Sequence, residues 1–395
     1  MQALPLAAWV LLCLKVGHEA LVRMKECPIS HDKFFYEVYL YYNPMFLMSM
    51  MVWLWGLNMY GFLQARIPYA KVFDLEYDHL THHDIWKIAS CMTVVVLTSM
   101  TAYVYFYSQN MILEAALQPI LLYVLMSVLL WLPSNVLYMR TRLDFLRTIV
   151  RLTFPIQTVS FADSLMADVL TSLAKPISDM ERSICRMYHH QASACLEADA
   201  VCGGHSIYVP CILAFPYFSR FLQCLRQYRD TKDEMFLHNA LKYSTTSAII
   251  FLPVLKYHVA PELWVSQVKP LWLICTVLNS CCLFYWDITN DWEFGLLSSP
   301  WGARKQYLRP ILLYRQHWVY YWAIGSNLVM RCAWTYKLSS HLRHNFKLVF
   351  LFSVLEMLRR FQWIFFRVEV AAIKLPCFCH CPTQVKILRF FVKGK

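Results

Sequence analysis

MFLMSMMVWLWGLNMYGFL, residues 45–63, decides the class of fold. A helix of roughly 20 apolar residues crosses the hydrocarbon core of a bilayer, and this run carries no charge at all. A surface helix of a soluble domain would show a charged face over that length. Outward from it, similar runs recur at 88–107, 119–138, 207–225, 243–259, 268–286, 318–337 and 346–367. Two more segments are less clean. The stretch 141–160 carries Arg142, Arg147 and Arg151, and 161–186 carries Asp163, Asp168, Lys175, Asp179 and Glu181. With both included, the sequence predicts an all-α polytopic membrane protein of about ten transmembrane helices. Helices satisfy their own backbone in lipid. The period-2 alternation of a membrane barrel is missing from the sequence.

Composition agrees. Hydrophobic residues make up 58% of the 395, charged residues only 16%, and mean hydropathy is +0.39. Soluble domains sit nearer a quarter charged. The 9 glycines argue against a Gly-rich nucleotide fold. The net charge of +12 is spread between apolar runs rather than along one stripe, so nucleic acid is not an expected partner. Basic loops facing the cytosol explain the excess. The stretches 226–241, 302–316 and the tail are therefore predicted to be cytosolic. An even number of spans follows each pair, and Met139–Arg142 then falls on the wrong side. Either 141–160 is interfacial or its arginines are kept by function. Residues 1–43 read as a cytosolic lead-in, with 1–14 amphipathic or irregular, 44–370 as the membrane domain, and 371–395 as a short basic tail.

Several weaker signals default to plain roles. The 15 cysteines are dispersed and suggest no disulfide framework; Cys91, Cys275, Cys281 and Cys282 read as small hydrophobes. Cys377, Cys379 and Cys381 around His380 suggest lipidation or no role. His79, His82 and His83 read as a solvated loop rather than a zinc site. No catalytic triad, P-loop or H-E-x-x-H pattern occurs, so neither an enzyme, a metal nor a cofactor is expected.

The charges inside the apolar segments carry the chemistry. A charge at mid-membrane costs at least a few kcal/mol unless it pairs, meets water or binds something. Glu356, Arg359 and Arg360 share one helical face. Arg331 with Trp334, Asp287 with Asp291, Lys242 with Tyr243, Arg220, and Asp168 with Asp163 and Thr171 complete the set. Guanidinium forks fit an oxyanion, Tyr243 adds a neutral donor, Trp334 can wall the site, and the carboxylates keep binding weak enough for release. The plain alternative is a set of salt bridges that fixes helix packing.

These residues lie in a recognisable order. FADSLMADVLTSL (161–173), RFLQCLRQYRDTK (220–232), LKYSTT (241–246), WDITNDW (286–292), RCAWTYKLS (331–339) and EMLRRFQWIFFRVE (356–369) resemble the EXS domain. That domain is the membrane part of eukaryotic phosphate exporters and of a yeast Golgi protein that retains luminal residents and recycles phosphate. YAKVFDLEYDHL (69–80) and DMERSICRMYHHQ (179–191) resemble plant SPX and EXS domain-containing proteins. The resemblance covers about 45–369. It implies ten helices with both ends cytosolic and a phosphate path at Asp168, Arg220, Lys242, Tyr243, Asp287, Asp291, Arg331, Trp334, Glu356, Arg359 and Arg360. It departs in three places. The roughly 43 leading residues are too few for an SPX domain, so regulation by inositol pyrophosphates is not expected. Thr171 and Ala174 stand where the exporters have Asn and Ser. After Glu369 the family continues polar, whereas this chain reads VAAIKLPCFCHCP. The expected function is inorganic phosphate transport, channel-like or facilitative, in the Golgi or another endomembrane, with the plasma membrane as a second location. Expected partners are phosphate and membrane lipids, with a second copy or Golgi residents further possibilities. The rival is a Golgi membrane adaptor that sorts or retains residents.

Overall fold

The computed structural model describes residues 3–24, 31–74, 80–132, 138–192, 202, 208–257, 259–295, 308–309, 311–314, 316–338 and 345–375. Trp334, the cysteines of the tail and His79 have side chains outside the described set. Helices account for nearly all of it: α1 (Ala3–Met24), α2 (His31–Gln64), α3 (His82–Ser108), α4 (Ile112–Trp131), α5 (Met139–Thr153), α6 (Phe161–Ala192), α7 (Tyr208–Thr231), α8 (Glu234–Phe251), α9 (Pro261–Asp291), α10 (His317–Arg331) and α11 (Phe346–Ile373). No strand occurs among the described residues. The protein is an all-α polytopic integral membrane protein.

Its outer surface is that of a membrane protein. Trp131 is 69% exposed, Val329 72% and Leu113 68%. Water would not tolerate such a surface, whereas lipid tails do. By length and apolarity alone α1, α2, α3, α4 and α9 qualify as spans among the described residues. Of the other helices, α6, α7, α8, α10 and α11 carry most of the charged set. Two cores organise the bundle. One joins α2, α6, α10 and α11 around Phe62, Trp363, Ile364 and Tyr320. The other joins α1 to α4 through Tyr42, Tyr103 and Leu122. Thus α2 is shared, α7 packs against α6, and α8 packs against α7.

The helix positions differ from the predicted runs in instructive ways. The residues 1–24 region holds a regular helix apolar enough to cross a membrane, and no break occurs at residue 43, since α2 runs unbroken through it. The helix α5 ends at Thr153, well short of residue 160. At 1.5 Å per residue its 15 residues reach about 22 Å, less than the ~30 Å of a hydrocarbon core. It is an amphipathic surface helix. Similarly, α8 starts at Glu234, where Asp233 caps Met235 N at 2.9 Å. Lys242 and Tyr243 therefore sit at its middle, not at its opening. His82 and His83 open α3 and pack against Tyr60 and Trp86 rather than lying in a loop. One cysteine pair, Cys185 at the end of α6 and Cys202 in the connection that follows, is a disulfide, although dispersed spacing gave no sign of it.

Candidate functional site

The charged residues converge along one seam where α6 faces α7, α8, α9, α10 and α11. Asp168 is its first centre. Its carboxylate accepts from Arg220 Nε at 3.0 Å and Nη2 at 3.2 Å, a two-point fork, and from the Tyr243 hydroxyl at 2.5 Å. The remaining Arg220 nitrogen, Nη1, donates to Ser164 Oγ and Gln223 Oε1. All three main groups are buried. Such forks hold geometry as well as charge.

One turn further along α6 lie Thr171 and Ser172. Arg360 of α11 donates from Nε to Ser172 Oγ at 2.8 Å and from Nη2 to Thr171 Oγ1 at 3.1 Å, with its guanidinium 4.6 Å from the Trp363 ring centre. Thr171 passes its own proton to the Asp168 carbonyl, and Ser172 donates to Glu356 Oε1 at 2.7 Å. Glu356 in turn receives Arg359 Nε and Nη2 at 2.8 and 2.6 Å. That pair is the i, i+3 stripe the sequence spacing implied.

The third centre is Asp287. Arg331 Nε, at 3.0 Å, and Nη2, at 2.5 Å, both donate to its Oδ2, and Asn327 Nδ2 adds a third bond at 3.0 Å. Arg359 Nη1 lies 3.7 Å from the same oxygen and makes no hydrogen bond. Asp291 receives Trp363 Nε1 at 3.2 Å and faces Arg367 at 3.8 Å. Both aspartates stand on a π-helical turn, Asp287–Asp291, closed by Trp292 N donating to Asp287 O at 2.9 Å. A wider turn keeps i and i+4 nearly in line along the axis, so both carboxylates point into the seam. Such turns cluster at functional sites.

Lys242 is held by aromatic faces. Its ammonium sits 4.5 Å from the Tyr243 ring centre and 4.8 Å from that of Trp286. Among the described residues no carboxylate lies within ion-pair distance of Lys242 or of Arg360. With Arg367, six cations thus meet the four carboxylates of Asp168, Asp287, Asp291 and Glu356: Arg220, Arg331, Arg359 and Arg367 each have one at contact, and Lys242 and Arg360 do not. Trp334 is on the 3-10 turn Cys332–Leu338 that continues α10. Eleven of the twelve expected residues therefore belong to one connected network. Sequence reasoning missed Ser164, Ser172, Gln223, Asn327 and Trp363, which supply its neutral links.

Residues 38–373 match the EXS family. The chain belongs to the EXS family. Among EXS-family relatives it is 31% identical over 333 residues to SPX and EXS domain-containing protein 1 of Dictyostelium discoideum, covering 80% of this chain and 35% of that one. It is 33% identical to the Xenopus laevis xenotropic and polytropic retrovirus receptor 1 homolog, covering 83% and 49%. It is 31% identical to Homo sapiens solute carrier family 53 member 1, covering 86% and 51%. The chain spans about a third to a half of the length of these EXS relatives.

Proposed function

We propose that this chain conducts inorganic phosphate across a membrane along the charged seam, without enzymatic turnover. The observation that carries the proposal is the pair of cations, Arg360 and Lys242, that have no carboxylate at contact distance among the described residues. Arg360 is buried and Lys242 half-buried. Leaving a charge out of water without a counter-ion costs several kcal/mol. An anion supplies the missing counter-charge and accepts charge-assisted hydrogen bonds. Phosphate, a mono- or dianion near neutral pH, fits both the charge and the guanidinium forks.

The remaining cations already have partners that can be exchanged. Glu356 can release Arg359 to an arriving phosphate and re-form the pair behind it. Asp168 can do the same for Arg220, and Asp287 for Arg331. Several weak sites in series let the ion leave as easily as it enters. Thr171 and Ser172, which already accept from Arg360, would turn their hydroxyl protons from the Asp168 carbonyl and Glu356 to phosphate oxygen. A Golgi adaptor that sorts residents, the rival reading, has no use for cations inside the membrane without a carboxylate at contact.

Sidedness follows from two features. A disulfide such as Cys185–Cys202 persists in oxidising compartments, which supports a luminal or extracellular end for α6. The basic connection 226–241 supports a cytosolic end for α7. Alternating from there, α5 falls on the cytosolic side and α1 crosses the bilayer, so the spans are α1 to α4 and α6 to α11, ten in number. An internal membrane of the secretory pathway, the Golgi first, suits this arrangement and the resemblance to a Golgi phosphate-recycling protein. The test is flux of radiolabelled phosphate into liposomes holding the purified chain. Undiminished flux in the Arg359→Ala, Arg360→Ala double variant would remove transport from this seam.

A further inference from the structure

The helix α5 has a composition that phosphate conduction does not use. Its sequence, MRTRLDFLRTIVRLT, is too short to span and too basic to be buried. Arg140, Asp144, Arg147 and Arg151 recur at i, i+4, i+7 and i+11, so they line one face of the helix. All four are exposed. Leu152 is buried on the opposite side, where α5 packs against α6 and α7. An apolar margin is open on either flank of that row: Phe145 on one side and Val150 on the other are exposed, and just past the helix Phe154 is 65% and Ile156 77% exposed. Water gives no reason to present phenylalanine and isoleucine beside a row of arginines. A bilayer interface does: the apolar margin enters the acyl boundary while the cations stay at headgroup depth.

We propose that α5 lies in the cytosolic interface and binds anionic glycerophospholipid headgroups through Arg140, Arg147 and Arg151. Charge complementarity selects the occupant, since the helix carries four arginines against one aspartate. Cytosolic leaflets hold anionic lipid, and each basic residue near such a surface is worth about fivefold in affinity. The site also touches the seam. Arg151 Nη2 donates to Asp163 Oδ1 at 3.0 Å, and Asp163 caps the start of α6 by accepting from Ser160 N at 3.2 Å. A headgroup that draws Arg151 away from Asp163 loosens the end of the helix that carries Asp168, Thr171 and Ser172.

The experiment titrates the full chain in detergent with acyl-labelled phosphatidylserine, with acyl-labelled phosphatidylcholine as control. The expected result is several-fold preference for phosphatidylserine, weakened by salt. Arg140→Gln with Arg147→Gln should lower that affinity about twenty-fold while leaving thermal stability in phosphatidylcholine unchanged. Phe154→Ser with Ile156→Ser should weaken both lipids. Equal affinity for the two lipids, or unaltered phosphatidylserine binding in the double arginine variant, overturns the proposal. So does displacement of the lipid by inorganic phosphate at matching concentration, because the site would then recognise free phosphate rather than a headgroup. Phosphate flux plays no part in this assay, so its outcome is separate from that of the transport reading.

Discussion

Arg360 is held by oxygens that carry no charge, those of Ser172 and Thr171. Replacing it with alanine should lower phosphate flux about a hundredfold or more, the scale of one buried donor aimed at an anion. Lysine keeps the charge and loses the fork, so Arg360→Lys should fall between. Ser172→Ala removes both the acceptor of Arg360 and the donor to Glu356. Bonds to charged groups are worth about 1.5–3 kcal/mol, so flux should fall at least tenfold with insertion unchanged. Glu356→Gln should act differently: half-saturation should drop as Arg359 is freed for phosphate, and maximal flux should drop with it. Initial rates over a phosphate series, normalised to inserted protein, separate the three. If Glu356→Gln raises half-saturation instead, Glu356 does not compete with phosphate for Arg359. The charged residues of the seam were legible in the sequence because a charge in an apolar run is conspicuous. Ser172, Gln223 and Asn327 were not, since one neutral polar side chain in a helix carries no such signal. Their only trace is spacing: Ser172 lies four residues past Asp168, and Asn327 four before Arg331.

Helix packing adds constraints that hydropathy does not express. A Cβ on Gly61 of α2 would sit 2.3 Å from Cε1 of Phe365 on α11, and one on Gly56 would sit 2.4 Å from Nε1 of Trp86 on α3. At both crossings the missing side chain lets an aromatic ring reach the backbone of α2. Gly61→Ala should therefore destabilise by about 1–3 kcal/mol through overpacking, seen as a lower midpoint in a thermal melt of the solubilised protein. Adding Phe365→Leu should recover most of the loss. A midpoint unchanged by Gly61→Ala would mean that the ring simply turns aside. Apolar runs located most of the long helices, but they passed over α1, counted the segment of α5 among the spans, and misplaced the ends of α4 and α8 by several residues. Hydropathy reports where lipid lies, whereas helix ends follow caps such as Asp233 and the Pro133 that comes after α4. The π turn was equally invisible, because Asp287 and Asp291 at i, i+4 read the same in either kind of helix.

Contacts among the described helix ends sort several of the helices into two sides without reference to charge rules. Arg186, near Cys185, pairs with Glu37 at the start of α2. At the other side Arg151 meets Asp163, Tyr138 donates to Asp84, Arg309 meets Glu369 and Lys374 meets Glu293. The first group gathers the start of α2 with the end of α6, and the second the starts of α3 and α6 with the ends of α9 and α11. That grouping is what strict alternation requires when α5 does not cross and α1 does. It also resolves the misplaced arginines of 139–151, which fall on the basic side once α5 lies in the interface. The proposed topology puts the connection holding Cys202 on the luminal or exterior side. An N-glycosylation acceptor, Asn-Ser-Thr, inserted after Glu197 should be glycosylated in cells, giving a glycosidase-sensitive mass increase. The same insertion after Gln306 should remain unmodified if the proposed topology, which puts that stretch on the cytosolic side, holds. Glycosylation at the second site and not the first would invert the molecule. The cytosolic α5 surface, the luminal disulfide and the direction of phosphate along the seam would all have to be reassigned.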